Sequence, residues 1–119
     1  MIGIIVFSTA CENDVGPFIL NSPTGQASFS RDIQPIFDVY CIGCHDQFHQ
    51  QLDLRSCCAH NELWTLGYSA TYVDPDNPEL SKLYRHLTGD LLPMPPFGSL
   101  PDREIDSVLK WITEGALDN

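Results

Sequence analysis

Apolar residues recur at helical spacing in three stretches of the chain, which predicts three amphipathic helices. The first is expected to be capped by Ser30 or Asp32, with Pro35 in or near its first turn. It runs straight into Cys41. Its apolar face is formed by Ile33, Ile36, Phe37 and Tyr40.

The second predicted helix has Asn77 as its N-cap and Pro78 as its first residue, and Gly89 is placed to end it. Its apolar stripe consists of Leu80, Leu83, Tyr84 and Leu87. The third begins near residues 101–102 and ends near Gly115. Its apolar residues are Ile105, Val108, Leu109, Ile112 and Ala116, with Trp111 beside them. Since no stretch alternates apolar and polar residues over the length of a strand, we expect an all-α fold.

The segment between the last two predicted helices is stiffened by proline. Residues 91–99 contain Pro93, Pro95 and Pro96 on both sides of Met94, which restricts the backbone there to extended conformations. Such a segment forms neither a helix nor a sheet ladder, but it can hold the Met94 side chain in a fixed place.

The N-terminal residues resemble an export signal. Residues 2–10 form an apolar run that ends in small residues and is shorter than the about 20 residues of a membrane-spanning helix. Cys11 follows at once, as in a bacterial lipobox, so we expect residues 1–10 to be signal-like and Cys11 to carry a lipid. No Lys or Arg precedes the run, as expected if the true start lies upstream and the basic region is missing. Ser8 is a departure from the lipoprotein pattern, which usually has an aliphatic residue at that position. The alternative is a buried first element with Cys11 as a free thiol.

Glycine and proline punctuate the next segment, residues 11–28, which predicts a linker or arm. Residues 29–119 are then expected to form one domain. The formal charge of -10 excludes nucleic-acid binding, which needs an excess of Lys and Arg. An acidic surface would be attracted to a basic patch on a partner, or would serve solubility alone.

The strongest chemical signal is the motif Cys41-Ile42-Gly43-Cys44-His45. Two thiols three positions apart on a helical turn can form thioethers with the two vinyl groups on one edge of a porphyrin. A histidine directly after the second thiol can then ligate the iron. We therefore predict one haem c, attached covalently through Cys41 and Cys44, with His45 as an axial ligand.

Met94 is the predicted second axial ligand. Met1 is the only other methionine, and it is expected to be lost with the signal. Methionine sulfur favours ferrous iron, so a His/Met pair raises the reduction potential. The alternative for Met94 is a core gap-filler. The rival ligands are His49, His60 and His86.

The order of these features resembles the class I monohaem cytochromes c. Five segments are similar to small cytochrome domains of exported bacterial proteins: residues 30–37, 52–55, 83–87, 94–96 and 111–115. The resemblance covers about residues 28–117. It implies a cytochrome c fold, with three main helices packed around the haem and with Phe37 and Trp111 near the crossing of the first and last helices. Ile33 stands where many members have Gly, which implies a wider or shifted crossing.

Two arginines and two cysteines are left to explain. Arg55 and Arg85, two of the six basic side chains, are candidates to pair with haem propionates. The alternative for both is a surface salt bridge with a nearby carboxylate. Cys57 and Cys58 are expected to form a vicinal disulfide, to pair with another chain, or to remain as buried thiols.

Zinc is the main alternative to haem. Cys41, Cys44, Cys57 and His60 have the spacing C-x2-C-x12-C-x2-H, which suits a closed tetrahedral site. That interpretation leaves the histidine next to Cys44 and the Met-Pro-Pro segment without a role. A thioredoxin-like role for Cys41 and Cys44 would need a βαβ unit, which the pattern does not predict.

The expected function is that of a carrier of single electrons between redox proteins, or of a subunit in a larger membrane complex of a respiratory or photosynthetic chain. We expect no enzymatic activity, because iron with two axial ligands has no open position for a substrate. A gas-binding sensor is the alternative, and it would need a weak or absent Met94–iron bond. The expected location is the periplasm or cell envelope, with a membrane anchor through a lipid on Cys11.

Overall fold

The computed structural model describes residues 25–48, 52–65 and 72–119. The signal-like segment, Cys11, most of the predicted linker and the rival ligand His49 lie outside the described residues. A π-helix at Phe29–Ile33 leads directly into the first α-helix. The α-helices are α1 at Gln34–Tyr40, α2 at Ala59–Thr65, α3 at Lys82–Thr88 and α4 at Asp102–Thr113, and a 3-10 helix covers Pro78–Leu80. No strand occurs among the described residues, so the all-α prediction is confirmed.

The first helical segment begins earlier than the sequence predicts. Ser28 is the N-cap, and its Oγ accepts a hydrogen bond from the Arg31 N–H at 3.3 Å. The Asp32 carboxylate in turn accepts a hydrogen bond from the Ser28 N–H at 2.8 Å. The predicted caps, Ser30 and Asp32, were therefore wrong because the chain starts with one wide π turn, whereas Pro35 does lie in the first turn of α1.

The short helix α2 was not predicted. Only Ala59 and Leu63 of its seven residues are buried. A single apolar pair four positions apart is too short a pattern to indicate a helix, and a helix of this length is stabilised by packing rather than by its own propensity.

The helix predicted to follow Asn77 is interrupted. The Asn77 side chain makes no capping hydrogen bond, and Asp74 instead accepts from the Asn77 N–H at 3.2 Å. Ser81 has an extended backbone that separates the 3-10 helix from α3, and its buried Oγ accepts from the Asp74 N–H at 2.8 Å. Leu80 is consequently 61% exposed and does not belong to the buried stripe, which was predicted wrongly there.

The predicted end of α3 is confirmed. Leu83 and Leu87 are buried one turn apart, and Gly89 follows at a φ of +83°, which is the left-handed conformation that ends a helix. Gly89 suits this position because it has no Cβ.

The core joins the first and last helical segments through Phe29. The Phe29 ring lies 6.1 Å from Phe37 in an edge contact and 5.2 Å from Trp111, measured between ring centroids. Phe37, Trp111 and Ile33 are all buried. The predicted approach of these segments is therefore built around Phe29, which the sequence pattern did not single out.

Asn119 ties the C-terminal tail to the start of the domain. Its Oδ1 accepts from the Phe29 N–H at 2.9 Å, and its Nδ2 donates to the Ala27 carbonyl at 3.2 Å. Its carbonyl accepts from Ser28 Oγ at 2.6 Å and from the Ser30 N–H at 3.1 Å. Within the described ranges, no helix is both long and apolar enough to cross a membrane.

Replacing Asn119 tests this clamp. Asn119→Ala removes the partners of the Phe29 N–H and the Ala27 carbonyl, so we expect the free energy of unfolding to fall by about 1 kcal/mol. Chemical denaturation measures this change. The exposed neighbour Asp118 is the control, and Asp118→Ala should change stability by less than about 0.5 kcal/mol. Equal losses in the two variants would contradict the clamp.

Candidate functional site

An apolar cavity of about 400 Å³ lies beside the Cys-x-x-Cys-His motif. It brings together four residues that the sequence singles out, and they are Cys41, Cys44, His45 and Met94. The rest of its wall includes leucines from the segment before α2 and from α3, together with the proline-rich segment that carries Met94. Residues separated by about half the chain therefore meet in one cavity.

The end of α1 positions the two thiols. Its helical hydrogen bonding continues through the Cys41 N–H, which donates to the Phe37 carbonyl at 2.9 Å. The Cys41 carbonyl then accepts from the Cys44 N–H at 3.1 Å and from the His45 N–H at 2.8 Å. The motif thus forms a hydrogen-bonded turn directly after α1, with Cys41 half-buried and Cys44 exposed.

Burial changes the chemistry of Cys41. Desolvation, with a smaller contribution from neighbouring Cys44, raises the pKa of the Cys41 thiol to about 12. The thiol is therefore protonated at neutral pH.

His45 is oriented by the backbone of the segment before α2. Its Nδ1 lies 3.1 Å from the Leu52 carbonyl, which can only accept, so Nδ1 carries the proton. The lone pair is then on Nε2, which is the tautomer that ligates iron through that atom. The Leu54 N–H donates to the His45 carbonyl at 2.9 Å, and Gln34 Nε2 donates to the Leu54 carbonyl at 2.9 Å.

Met94 is held through α3. Its N–H donates to the His86 carbonyl at 3.0 Å, and His86 Nδ1 donates to the Leu92 carbonyl at 2.7 Å. The Met94–Pro95 peptide bond is cis. The proline-rich segment is therefore fixed to the last turn of α3 on both sides of Pro93.

The rival ligands differ in their positions. His86 also lines the cavity, so among the described residues it remains the possible alternative to Met94 as a ligand. His60 is instead half-buried against the core, with its ring centroid 5.1 Å from that of Phe29 and its Nε2 2.8 Å from the Ala116 carbonyl.

The remaining predicted haem contacts do not line the cavity among the described residues. Phe37 and Trp111 lie in the core instead. Arg55 pairs with Asp53 at 2.6 Å, and Arg85 pairs with Asp90 at 2.6 Å. These are the carboxylate salt bridges given as the alternative, and pairing with propionates stays a prediction.

The zinc ligand set does not converge. Cys57 is bonded to Cys58 in a vicinal disulfide, which removes its thiolate. In the described parts of the chain, the one group of three or more potential metal-binding side chains is Asp53, Cys57 and Cys58. Neither Cys41 nor Cys44 belongs to it.

Glu104 and Tyr40 form a polar pair beside the cavity that sequence reasoning missed. Tyr40 lines the cavity and donates through its hydroxyl to Glu104 Oε1 at 3.4 Å. Glu104 is only 3% exposed, and its Oε2 has no hydrogen-bond partner in the described structure. Burial raises the pKa of Glu104, and burial followed by the Glu104 charge raises the pKa of Tyr40. An acidic residue in the first turn of a helix gives no sequence signal of burial, because that position is common for exposed carboxylates.

Comparisons of the chain with protein-family models, with curated protein sequences and with solved structures find no match.

Glu104 should make stability depend on pH. Because its pKa is raised in the folded state, its contribution to stability is fully present below the ordinary glutamate pKa of about 4.3 and is lost as the pH rises through the raised value. Glu104→Gln removes this loss, so we expect the variant to lose less stability than the unmodified chain between about pH 4 and pH 7. Denaturant unfolding at both pH values measures the difference.

The exposed carboxylate of Asp106 on the same helix provides the control. Asp106→Asn should leave the pH dependence close to that of the unmodified chain. A Glu104→Gln variant with an unchanged pH dependence would show that Glu104 is not desolvated in the folded state.

Proposed function

We propose that this chain is a monohaem c-type cytochrome with the cytochrome c fold, which carries single electrons between redox partners. The observation that carries the proposal is the meeting of Cys41, Cys44, His45 and Met94 in one apolar cavity. The motif by itself indicates attachment of haem, and Met94 in the same cavity would supply a sulfur ligand that suits an electron carrier.

The residues that line the cavity are suited to a covalently attached haem. Cys41 and Cys44 lie one helical turn apart at the cavity, which matches two thioether bonds to one porphyrin edge. The hydrogen bond from His45 Nδ1 to Leu52 prepares Nε2 to ligate iron. Leucines and prolines in the wall provide the apolar contact that a porphyrin face requires.

The chain supports electron transfer by keeping its ligands in place. Bound haem supplies a one-electron couple between ferric and ferrous iron. The Leu52 carbonyl holds the His45 ring, and the backbone contact with His86 holds the Met94 backbone, so both residues would stay in place while bound haem changed its charge. The wall of the cavity is largely apolar, and the exposed Cys44 marks the edge where a partner can approach.

The charge and the N-terminal sequence of the chain support a proposal for its partner and its location. The formal charge of -10 favours a partner with a basic surface, either a soluble redox protein or a larger membrane complex. The resemblance of residues 2–11 to an export signal with a lipobox supports a location in the periplasm or cell envelope, with an anchor on Cys11.

The sixth ligand is the sharpest test of the electron-carrier function. In protein matured with haem, Met94→Ala should lower the reduction potential by on the order of 100 mV, because the sulfur ligand favours ferrous iron. The ferrous variant should also bind carbon monoxide rapidly, whereas the unmodified protein should not. Redox titration and flash photolysis measure the two quantities.

His86→Gln is the matched control, because glutamine can still donate to the Leu92 carbonyl while it removes the rival imidazole. It should leave the potential near that of the unmodified protein. If His86→Gln produces the large shift and Met94→Ala does not, His86 is the ligand. Rapid carbon monoxide binding by the unmodified protein would favour the gas-binding alternative.

A further inference from the structure

The Cys57–Cys58 disulfide is a reactive group that electron transfer through the cavity does not use. It lies immediately before α2 and does not line the cavity in the described structure. Cys57 is exposed and Cys58 is half-buried. A thiol in solution can therefore reach the Cys57 sulfur, which is the first requirement for thiol–disulfide exchange.

Negative charge predominates around this disulfide. A carboxylate oxygen of Asp53 lies within 4.8 Å of both sulfurs. Arg55 is the neighbouring cation, and the charges of Asp53, Asp46 and Glu62 all act on it. Because three carboxylates surround one guanidinium, an approaching anion is repelled and an approaching cation is attracted.

We propose that Cys57–Cys58 is a redox-active site that accepts two electrons from an external dithiol, and that it prefers dithiols with positive or no net charge. A substrate thiolate attacks the Cys57 sulfur, the bond between the two cysteines breaks, and Cys58 leaves as a thiolate that takes up a proton. The second substrate thiolate then attacks the mixed disulfide at the substrate sulfur and releases Cys57 as a thiolate, which also takes up a proton; the two protons are those that the two substrate thiols lost. The substrate dithiol becomes a disulfide, the Cys57–Cys58 pair becomes two thiols, and two electrons are transferred.

Because Cys57 is the more exposed of the two cysteines, its sulfur is the one that a substrate thiolate attacks. Cys58 is less accessible because it is half-buried, and its N–H donates to the Arg55 carbonyl at 2.9 Å, which holds it just before α2. The oxygens of the Asp53 carboxylate beside the sulfurs accept hydrogen bonds from the Arg55 side chain at 2.6 to 3.2 Å. The carboxylate therefore affects an approaching thiol only through its negative charge. The Arg55 guanidinium lowers the pKa of Asp53, so the carboxylate stays ionised at neutral pH.

The test measures reduction of the disulfide in the full, folded chain. Neutral dithiothreitol, cationic cysteamine and anionic 2-mercaptoethanesulfonate are the probes, with rates expressed per thiolate so that differences in thiol pKa cancel. Alkylation and peptide mapping by mass spectrometry follow Cys57 and Cys58 separately from Cys41 and Cys44. The readout is therefore the same whether or not haem is attached.

We expect dithiothreitol to reduce the pair in the native protein. At low ionic strength, cysteamine should react at least about fivefold faster than 2-mercaptoethanesulfonate, and this ratio should shrink at about 1 M salt, where charges are screened. Asp53→Asn should also shrink the ratio, whereas Asp106→Asn on the exposed face of α4 should not. In single variants, Cys58→Ser should form a mixed disulfide with cystamine faster than Cys57→Ser does.

Two results would overturn the proposal. One is a disulfide that resists excess dithiothreitol in the folded protein while a peptide of residues 52–62 with the same bridge is reduced; the bridge would then be structural. The other is an equal rate with the cationic and anionic thiols at both salt concentrations, which would remove the charge preference. Both outcomes concern the unmodified chain, so neither depends on whether a variant folds.

Discussion

The hydrogen bond between His45 Nδ1 and the Leu52 carbonyl, at 3.1 Å, is the contact on which the site depends. It joins the turn after α1 to the segment that leads to α2, and both segments form the wall of the cavity. The return bond from the Leu54 N–H to the His45 carbonyl makes this a two-point attachment. A hydrogen bond of this kind fixes the orientation of the His45 ring.

Core packing and hydrogen bonds elsewhere in the domain hold the helices around the cavity in place. Phe29 packs against both Phe37 and Trp111, so α1 and α4 share one core, and Asn119 fastens the chain behind it. The proline-rich segment depends on α3 in the same way, because His86 supports Met94 through its backbone and Leu92 through its ring. The cavity therefore lies between elements that are each fixed at two or more points.

The sequence predicts this arrangement where one short pattern decides it, and fails where several nearby residues suit the same role. The motif at residues 41–45, Met94 between prolines and the glycine end of α3 all follow from short patterns, and the structure brings the motif and Met94 into one cavity. The cap at Ser28 and the break at Ser81 do not follow from a short pattern, because Ser30 and Asn77 are equally good capping residues nearby. Hydrogen bonds join Ser28 to Asp32 and Ser81 to Asp74 instead.

Two further features had little or no sequence signal. Helix α2 has a single buried apolar pair, and its stability comes from packing rather than periodicity. Glu104 is buried although its position in the first turn of α4 is typical of a solvated carboxylate, so only the approach of Tyr40 reveals it. In both cases the deciding neighbour is distant in sequence, and a pattern along the chain cannot report it.

The intact mass of the full chain shows whether haem is attached covalently to Cys41 and Cys44. The chain would be produced together with a haem-attachment system, beside a Cys41→Ser/Cys44→Ser variant and a known c-type cytochrome as a positive control. We expect one haem per chain that survives denaturation, mapped to Cys41 and Cys44, and none on the double variant. A chain that carries no covalent haem while the positive control is fully matured would contradict the proposed haem attachment.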